Sequence, residues 1–127
     1  MKKLLLLLFS ILISFNSYGD WTRISKNTEG DTYYIETDTI KKHDGYVYWW
    51  VLGDFLIPFE SGAMSGKVYY QGDCGVNRQK PLSYNYYKQP MGIGSSETST
   101  PSNPEWHYPP PGTAGATIFN YVCDYVK

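Results

Sequence analysis

Hydrophobic and polar residues alternate along most of the chain, in short runs broken by turn-forming residues. TRIS at 22–25, following Trp21, alternates outward and inward positions, and the polar KNTEGD segment then turns the chain into TYYIE at 32–36. A two-residue period over β-branched and aromatic residues marks a strand with one face against a core. Residues 38–42 read instead as a short helical turn capped by Thr37 or Asp38, before His43, Asp44 and Gly45 reverse the chain. The stretch GYVYWWVLGDF at 45–55 predicts a long central strand. Beyond a loop at 58–62, the segments 67–73 and 81–88 alternate again. The expected core is an antiparallel meander of about five to six strands.

The central strand carries a problem that alternation exposes. Tyr46, Tyr48, Trp50 and Leu52 fall on one face, and Val47, Trp49, Val51 and Phe55 on the other. Both rows are apolar. A two-layer domain with one helix covers only one of them fully, so the second row must meet another segment, a second subunit or a ligand.

From 89 to 112 the pattern dissolves into loop composition: GIGSSETSTPSNP, then EWHYPPPG, with five of the eight prolines after Met91. Pro109, Pro110 and Pro111 favour a polyproline conformation beside Trp106 and Tyr108, suited either to a proline-recognition groove or to closing over its own domain. The lone GIG follows no parallel strand and opens no helix, which excludes a nucleotide-binding fingerprint. In the last segment Ala114, Ile118, Val122 and Tyr125 recur every three to four residues, as on a helix packed against a sheet, with Gly112 and Thr113 at its start. The fold class expected is α+β.

The N-terminus changes where this domain resides. Lys2 and Lys3 precede an apolar run from Leu4 to Ile13, followed by SYG at 17–19. The run is short of the roughly 20 residues of a bilayer-spanning helix, and with its charged start it reads as a secretory signal peptide, 1–19, cleaved after Gly19. The mature domain is then 20–127, exported, with no transmembrane segment. With no Cys near the cleavage point, it is not lipid-anchored through an N-terminal Cys. Loss of Lys2 and Lys3 leaves 9 basic against 12 acidic residues, a formal charge of −3. A nucleic-acid binder needs a basic face, so that class is set aside.

The two cysteines, Cys74 and Cys123, are an even pair in an exported chain and are expected to form one disulfide pinning the helix to the sheet. The rival, a catalytic Cys with His43 or His107 as base, lacks any recognisable hydrolase context. No metal-ligand spacing, cofactor motif or nucleophile elbow is present. Asp54 and Asp73, near strand ends, are the one pair of carboxylates worth testing as a glycosidase dyad; as exposed strand-end acids they need no such role.

Taken in order, WTRIS, YYIETDTIKKHDGYVYWWVLGDF, KVYYQGDC, PLSYNYYKQPMGIGSS, EWHYPPPG and a terminal YVC span nearly the whole mature chain. The run resembles the surface-adhesin protein E family of Gram-negative envelope proteins. The tyrosine strand, Trp50, Leu52, Asp54 and Phe55, the Asp73 and Cys74 pair, and PMGIG at 90–94 carry the likeness most specifically. The resemblance implies antiparallel strands with a helix, a disulfide role for Cys74 and Cys123, no catalysis, and binding of host matrix or serum proteins. It also favours Trp50 with Leu52 as the core row.

The leading expectation is therefore an exported, non-catalytic binding protein of the cell envelope, periplasmic, released or at the cell surface. The alternatives are a periplasmic glycan- or peptidoglycan-binding domain, and an envelope structural or assembly domain that pairs through a sheet edge as a homodimer. All draw on 13 tyrosines and 4 tryptophans, more than one small core absorbs. The candidate ligand or dimer contacts are Trp49 and Val47 on the central strand, with Trp106 and Tyr108 beside the prolines.

Overall fold

The computed structural model describes residues 21–127; the expected leader and its cleavage point lie outside them. Seven strands form one antiparallel sheet: β1 (Trp21–Lys26), β2 (Thr32–Glu36), β3 (Lys41–His43), β4 (Tyr46–Asp54), β5 (Ser65–Asp73), β6 (Arg78–Tyr87) and β7 (Ser96–Ser99). Their order is β1-β2-β4-β5-β6-β7. Strand β3 lies in line with β2 along β4, with Lys41 opposite Tyr48 and Ile35 opposite Val51. One helix, α1 (Ala114–Tyr125), follows.

Two elements differ from the sequence reading. The expected helical turn at 38–42 is a 3-10 turn at Thr37–Thr39, after which Lys41–His43 extends as β3. Pairing with β4 supplies the backbone partners that the polar KKH residues do not advertise. Strand β7 runs through SETS, read as loop, because its hydrogen bonds to Tyr84–Tyr87 define it and none of its side chains is buried. Pro81 sits inside β6, where the register with β5 shifts between Tyr69 and Tyr70. A bulge is where a strand tolerates a residue without an N–H.

Helix α1 begins where Thr113 accepts a hydrogen bond from the Ala116 N–H through Oγ1 at 3.2 Å, leaving the β region as an N-cap should. Its buried face is Ile118, Phe119 and Val122, set against Ile35, Val47, Trp49 and Val51. The disulfide between Cys74 and Cys123, with Cα atoms 5.9 Å apart, ties the helix to the turn after β5.

The expected roles of Trp49 and Trp50 are thus reversed: Trp49 is fully buried and Val47 nearly so, while Trp50 is only half-buried. The helix chose the Val47 face because β5 offers Gly72 opposite Val47. A Cβ at Gly72 would lie 2.6 Å from the Trp49 ring and 3.3 Å from Phe119, so only glycine leaves room for the indole. As surface contacts for a ligand or second subunit, Trp49 and Val47 are inaccessible.

Leu52 is fully buried on the opposite face, beneath the PMGIG loop. Asp54 accepts the Met91 N–H at 2.9 Å. Ser65 Oγ donates to the Gln89 carbonyl at 2.6 Å and accepts the Gly92 N–H at 2.8 Å. The loop that strand alternation could not place is clamped over one end of the second face.

Candidate functional site

The helix covers only part of its own side of the sheet. Packing concentrates on β1, β2 and β4, and the β5–β6 half of that face stays open beyond the helix N-terminus. The opening is a trough of about 330 Å³. Its floor is made by Gly53 and Gly66, which face each other across β4 and β5. A Cβ on either would meet aromatic carbons of Tyr33, Phe55 or Tyr86 at 3.2 to 3.4 Å. Side-chain-free floor positions let those rings lie close over the backbone.

Aromatic rings build the walls. Phe55 and Phe59 stack at 4.3 Å between centroids, and Phe59 reaches Tyr86 at 6.3 Å while remaining 47% exposed. Tyr84 and Tyr86, two positions apart on β6, lie parallel within 2° at 6.2 Å. Ala114, Gly115 and Ile118 close the helix side. Among the described residues, no charged side chain lines the trough.

Three of its tyrosines, Tyr33, Tyr70 and Tyr84, have hydroxyls raised above the ordinary phenol range, chiefly by burial. Burial pushes the Tyr70 hydroxyl up to about 12, with the neighbouring phenols Tyr84, Tyr33 and Tyr86 adding to the shift. Tyr84 is raised by burial and then by Tyr86. Tyr33 is raised by burial and by Asp31, against a hydrogen bond from Asn27 that lowers it. An uncharged, largely aromatic concavity suits a neutral, largely apolar ligand segment. Sequence reasoning missed this site because its parts come from β2, β4, β5, β6 and α1; the readable signal was the paired glycines in LGDF and SGK flanked by aromatics.

The remaining expected contacts lie on the opposite face and its edge. His107 exchanges backbone hydrogen bonds with Gln79 at 2.7 and 2.8 Å, which lays the Pro-rich segment beside β6. Trp106 thereby packs on Tyr46 at 5.8 Å, so the second apolar row does meet this segment at one end. Tyr108 is 66% exposed. Tyr108, Pro109 and Pro111 form a shallow cavity with Phe119 on the helix, so the prolines close over their own domain. The structure does not bring Trp106 and Tyr108 together with Trp49 and Val47.

The catalytic alternatives find no assembled geometry. Cys74 and Cys123 are disulfide-bonded. Asp54 is opposite Ser65, and Asp73 is eight residues farther along β5, which separates the two carboxylates by about 26 Å at a strand rise of about 3.3 Å. A glycosidase pair spans at most about 9.5 Å. Asp73 instead pairs with Arg78 at 3.3 Å. Among the described residues, no helix is long and apolar enough to cross a membrane.

The described residues thus form an open antiparallel sheet braced by one disulfide-tied helix, with aromatic surfaces on both sides. The surface-adhesin protein E family model matches residues 21–124, and the chain belongs to that family. Among solved structures, crystal form II of Haemophilus influenzae protein E is similar with a TM-score of 0.65 and 18% identity, covering 84% of this chain and 90% of that one. A second Haemophilus influenzae protein E structure aligns with a TM-score of 0.61 and 17% identity over 82% of this chain and 83% of that one. The likeness at this identity is one of fold. No curated protein matches by sequence.

Proposed function

We propose that the chain is an exported, non-catalytic adhesin that seats an apolar segment of a host matrix or serum protein in the trough between Phe59, Tyr84 and helix α1. The observation that carries this reading is the trough itself: aromatic, uncharged, and left open by a helix that seals only half of its face. Family membership supplies the adhesive context. Cleavage after Gly19 would place the domain in the periplasm, from which it is released or displayed.

The test is retention of the purified domain on immobilised basement-membrane extract and serum proteins. Phe59→Asp puts a charge at a half-exposed ring, and Tyr84→Ala removes one wall; each should weaken retention at least tenfold while the melting temperature holds within a few degrees. Unchanged retention by both variants refutes the trough as the contact. If a second copy fills the trough instead, sedimentation equilibrium will show a dimer that Phe59→Asp converts to monomer.

A further inference from the structure

The face away from the helix has a different chemistry. Residues directly opposite in an antiparallel sheet share a face, and the registers therefore set Trp50 beside Tyr69, Tyr48 beside Gln71 and Lys80, and Leu52 beside Lys67 and Asn85, with Tyr46 next in the same row of β4 and Asp73 opposite Arg78. Rings run through its middle: Trp50 and Tyr69 at 4.9 Å, Tyr69 and Tyr48 at 6.0 Å. Only the ends are covered, by the PMGIG loop at Leu52 and by Trp106 at Tyr46.

Cations stand at both ends of this ladder. Lys67 Nζ lies 5.3 Å from the Trp21 ring and 5.1 Å from Tyr87. Its stem is held in place by the loop, since a Cβ at Gly92 would come within 2.7 Å of Lys67 Cε. At the other end Arg78 and Lys80 both sit over the Trp106 ring, at 4.3 and 4.5 Å. Arg78 is matched by Asp73, whereas neither Lys67 nor Lys80 belongs to any of the ion pairs among the described residues. Two ammonium groups held over aromatic rings and outside those ion pairs are preorganised for an external anion, although Glu36 shares the pocket of Lys67. They stand out in a chain whose mature form is expected to be acidic.

At the Lys67 end the face sinks into a pocket of about 260 Å³ lined by Trp21, Trp50, Glu36, Thr39, Asn85 and Tyr87 along with Lys67. Two indoles combined with an ammonium, a carboxylate, an amide and two hydroxyls in so small a space match a ring bearing several hydroxyls. A pocket for a peptide's apolar side chain would be drier and more uniformly apolar. The face offers further donors in the phenols of Tyr48 and Tyr69 and the Arg78 and Lys80 N–H groups, beside the Gln71 amide and the Asp73 carboxylate that Arg78 engages. Burial, with Tyr48 adding to it, raises the Tyr69 hydroxyl, so that phenol donates rather than ionises.

We propose that this face binds an acidic oligosaccharide: one sugar ring enters the Trp21–Trp50 pocket with its anionic group on Lys67, and the chain runs across Tyr69 and Tyr48 to Lys80 and Arg78 beside Trp106. Lys67 is opposite Asn85, and Lys80 opposite Gln71, so the two ammonium-bearing positions are four residues apart along the sheet and one strand over, about 14 Å by strand rise and spacing. That length calls for an oligosaccharide rather than a single ring.

The experiment is calorimetric titration of the mature, disulfide-bonded protein with three hexasaccharides: one carrying alternating glucuronate, its carboxyl-reduced neutral form, and a sulfated one. Binding of an anionic probe at least tenfold tighter than the neutral form, weakened at least tenfold by Lys67→Gln and several-fold by Lys80→Gln, is the expected result. Preference between glucuronate and sulfate then assigns the anion. Affinity should fall as salt rises, and Tyr84→Ala in the trough should leave it unchanged, separating this site from the adhesive one. The proposal is overturned if neither anionic probe binds, if the neutral form binds equally, or if both lysine variants melt like the parent and bind like it.

Discussion

Trp49 decides more than any other residue. It fills the space over Gly72 between Tyr70, at 5.5 Å, and Phe119, at 6.2 Å, and its indole N–H finds no acceptor among the described residues. Trp49→Ala should therefore cost about 3–5 kcal/mol, the range for emptying a buried aromatic site, whereas Trp49→Phe should cost less than half as much because it also removes an unpaired buried donor. Urea unfolding of the two variants checks the ratio. The same crowding predicts that Gly72→Ala destabilises by about 1–3 kcal/mol through overpacking.

Tyr70 gives a pH signature at the same scale. Its hydroxyl titrates near 10 in the unfolded chain and at about 12 in the fold. The stability this contributes is fully present below pH 10 and is lost as pH rises from 10 to 12, because the unfolded state gives up its proton first. At about 1.4 kcal/mol per unit the loss is roughly 2–3 kcal/mol. Tyr70→Phe should flatten that part of the stability curve in denaturant titrations between pH 9 and 12.

At the scale of elements, the helix and the PMGIG loop are each held by a small number of links. The disulfide closes a segment with a sequence separation of 49, worth about 4 kcal/mol in the chain-entropy view. Reduction, or Cys74→Ser, should lower the unfolding free energy by up to that amount and raise hydrogen exchange first along α1. Ser65 is the buried polar residue that ties Gln89 and Gly92 to β5, and Ser65→Ala should cost about 1–3 kcal/mol by orphaning the Gly92 N–H. These elements were legible to different degrees. α1 followed from its 3.6-residue apolar period, and β2 from clean alternation. Strands β3 and β7 were not legible, since KKH and SETS bury nothing and exist only because a neighbouring strand offers hydrogen bonds. PMGIG was recognisable as a motif, yet its clamp onto Asp54 and Ser65 spans 24 to 37 positions and leaves no local trace.

For the whole molecule, the sheet separates two surfaces of opposite character, one uncharged and one rich in cations. Their side chains do not share partners across the sheet, so variants on the two sides should act additively on stability and independently on binding. A double variant, Phe59→Asp with Lys67→Gln, is expected to show the sum of the single effects in both assays.

What the amino-acid sequence determined by itself was local and compositional: alternation made the main strands, spacing made the helix, an even cysteine count in a chain expected to be exported pointed to the disulfide, and an excess of aromatics implied surfaces beyond one core. It also established that both faces of β4 were apolar. Which face the helix would take was decided only in three dimensions, because strand periodicity is symmetric between faces. The choice rests on a residue without a side chain, Gly72, in a neighbouring strand 23 positions from Trp49. The trough and the cationic ladder arise the same way, from residues that register across five strands brings together, and close packing rather than local preference assigns each ring its side.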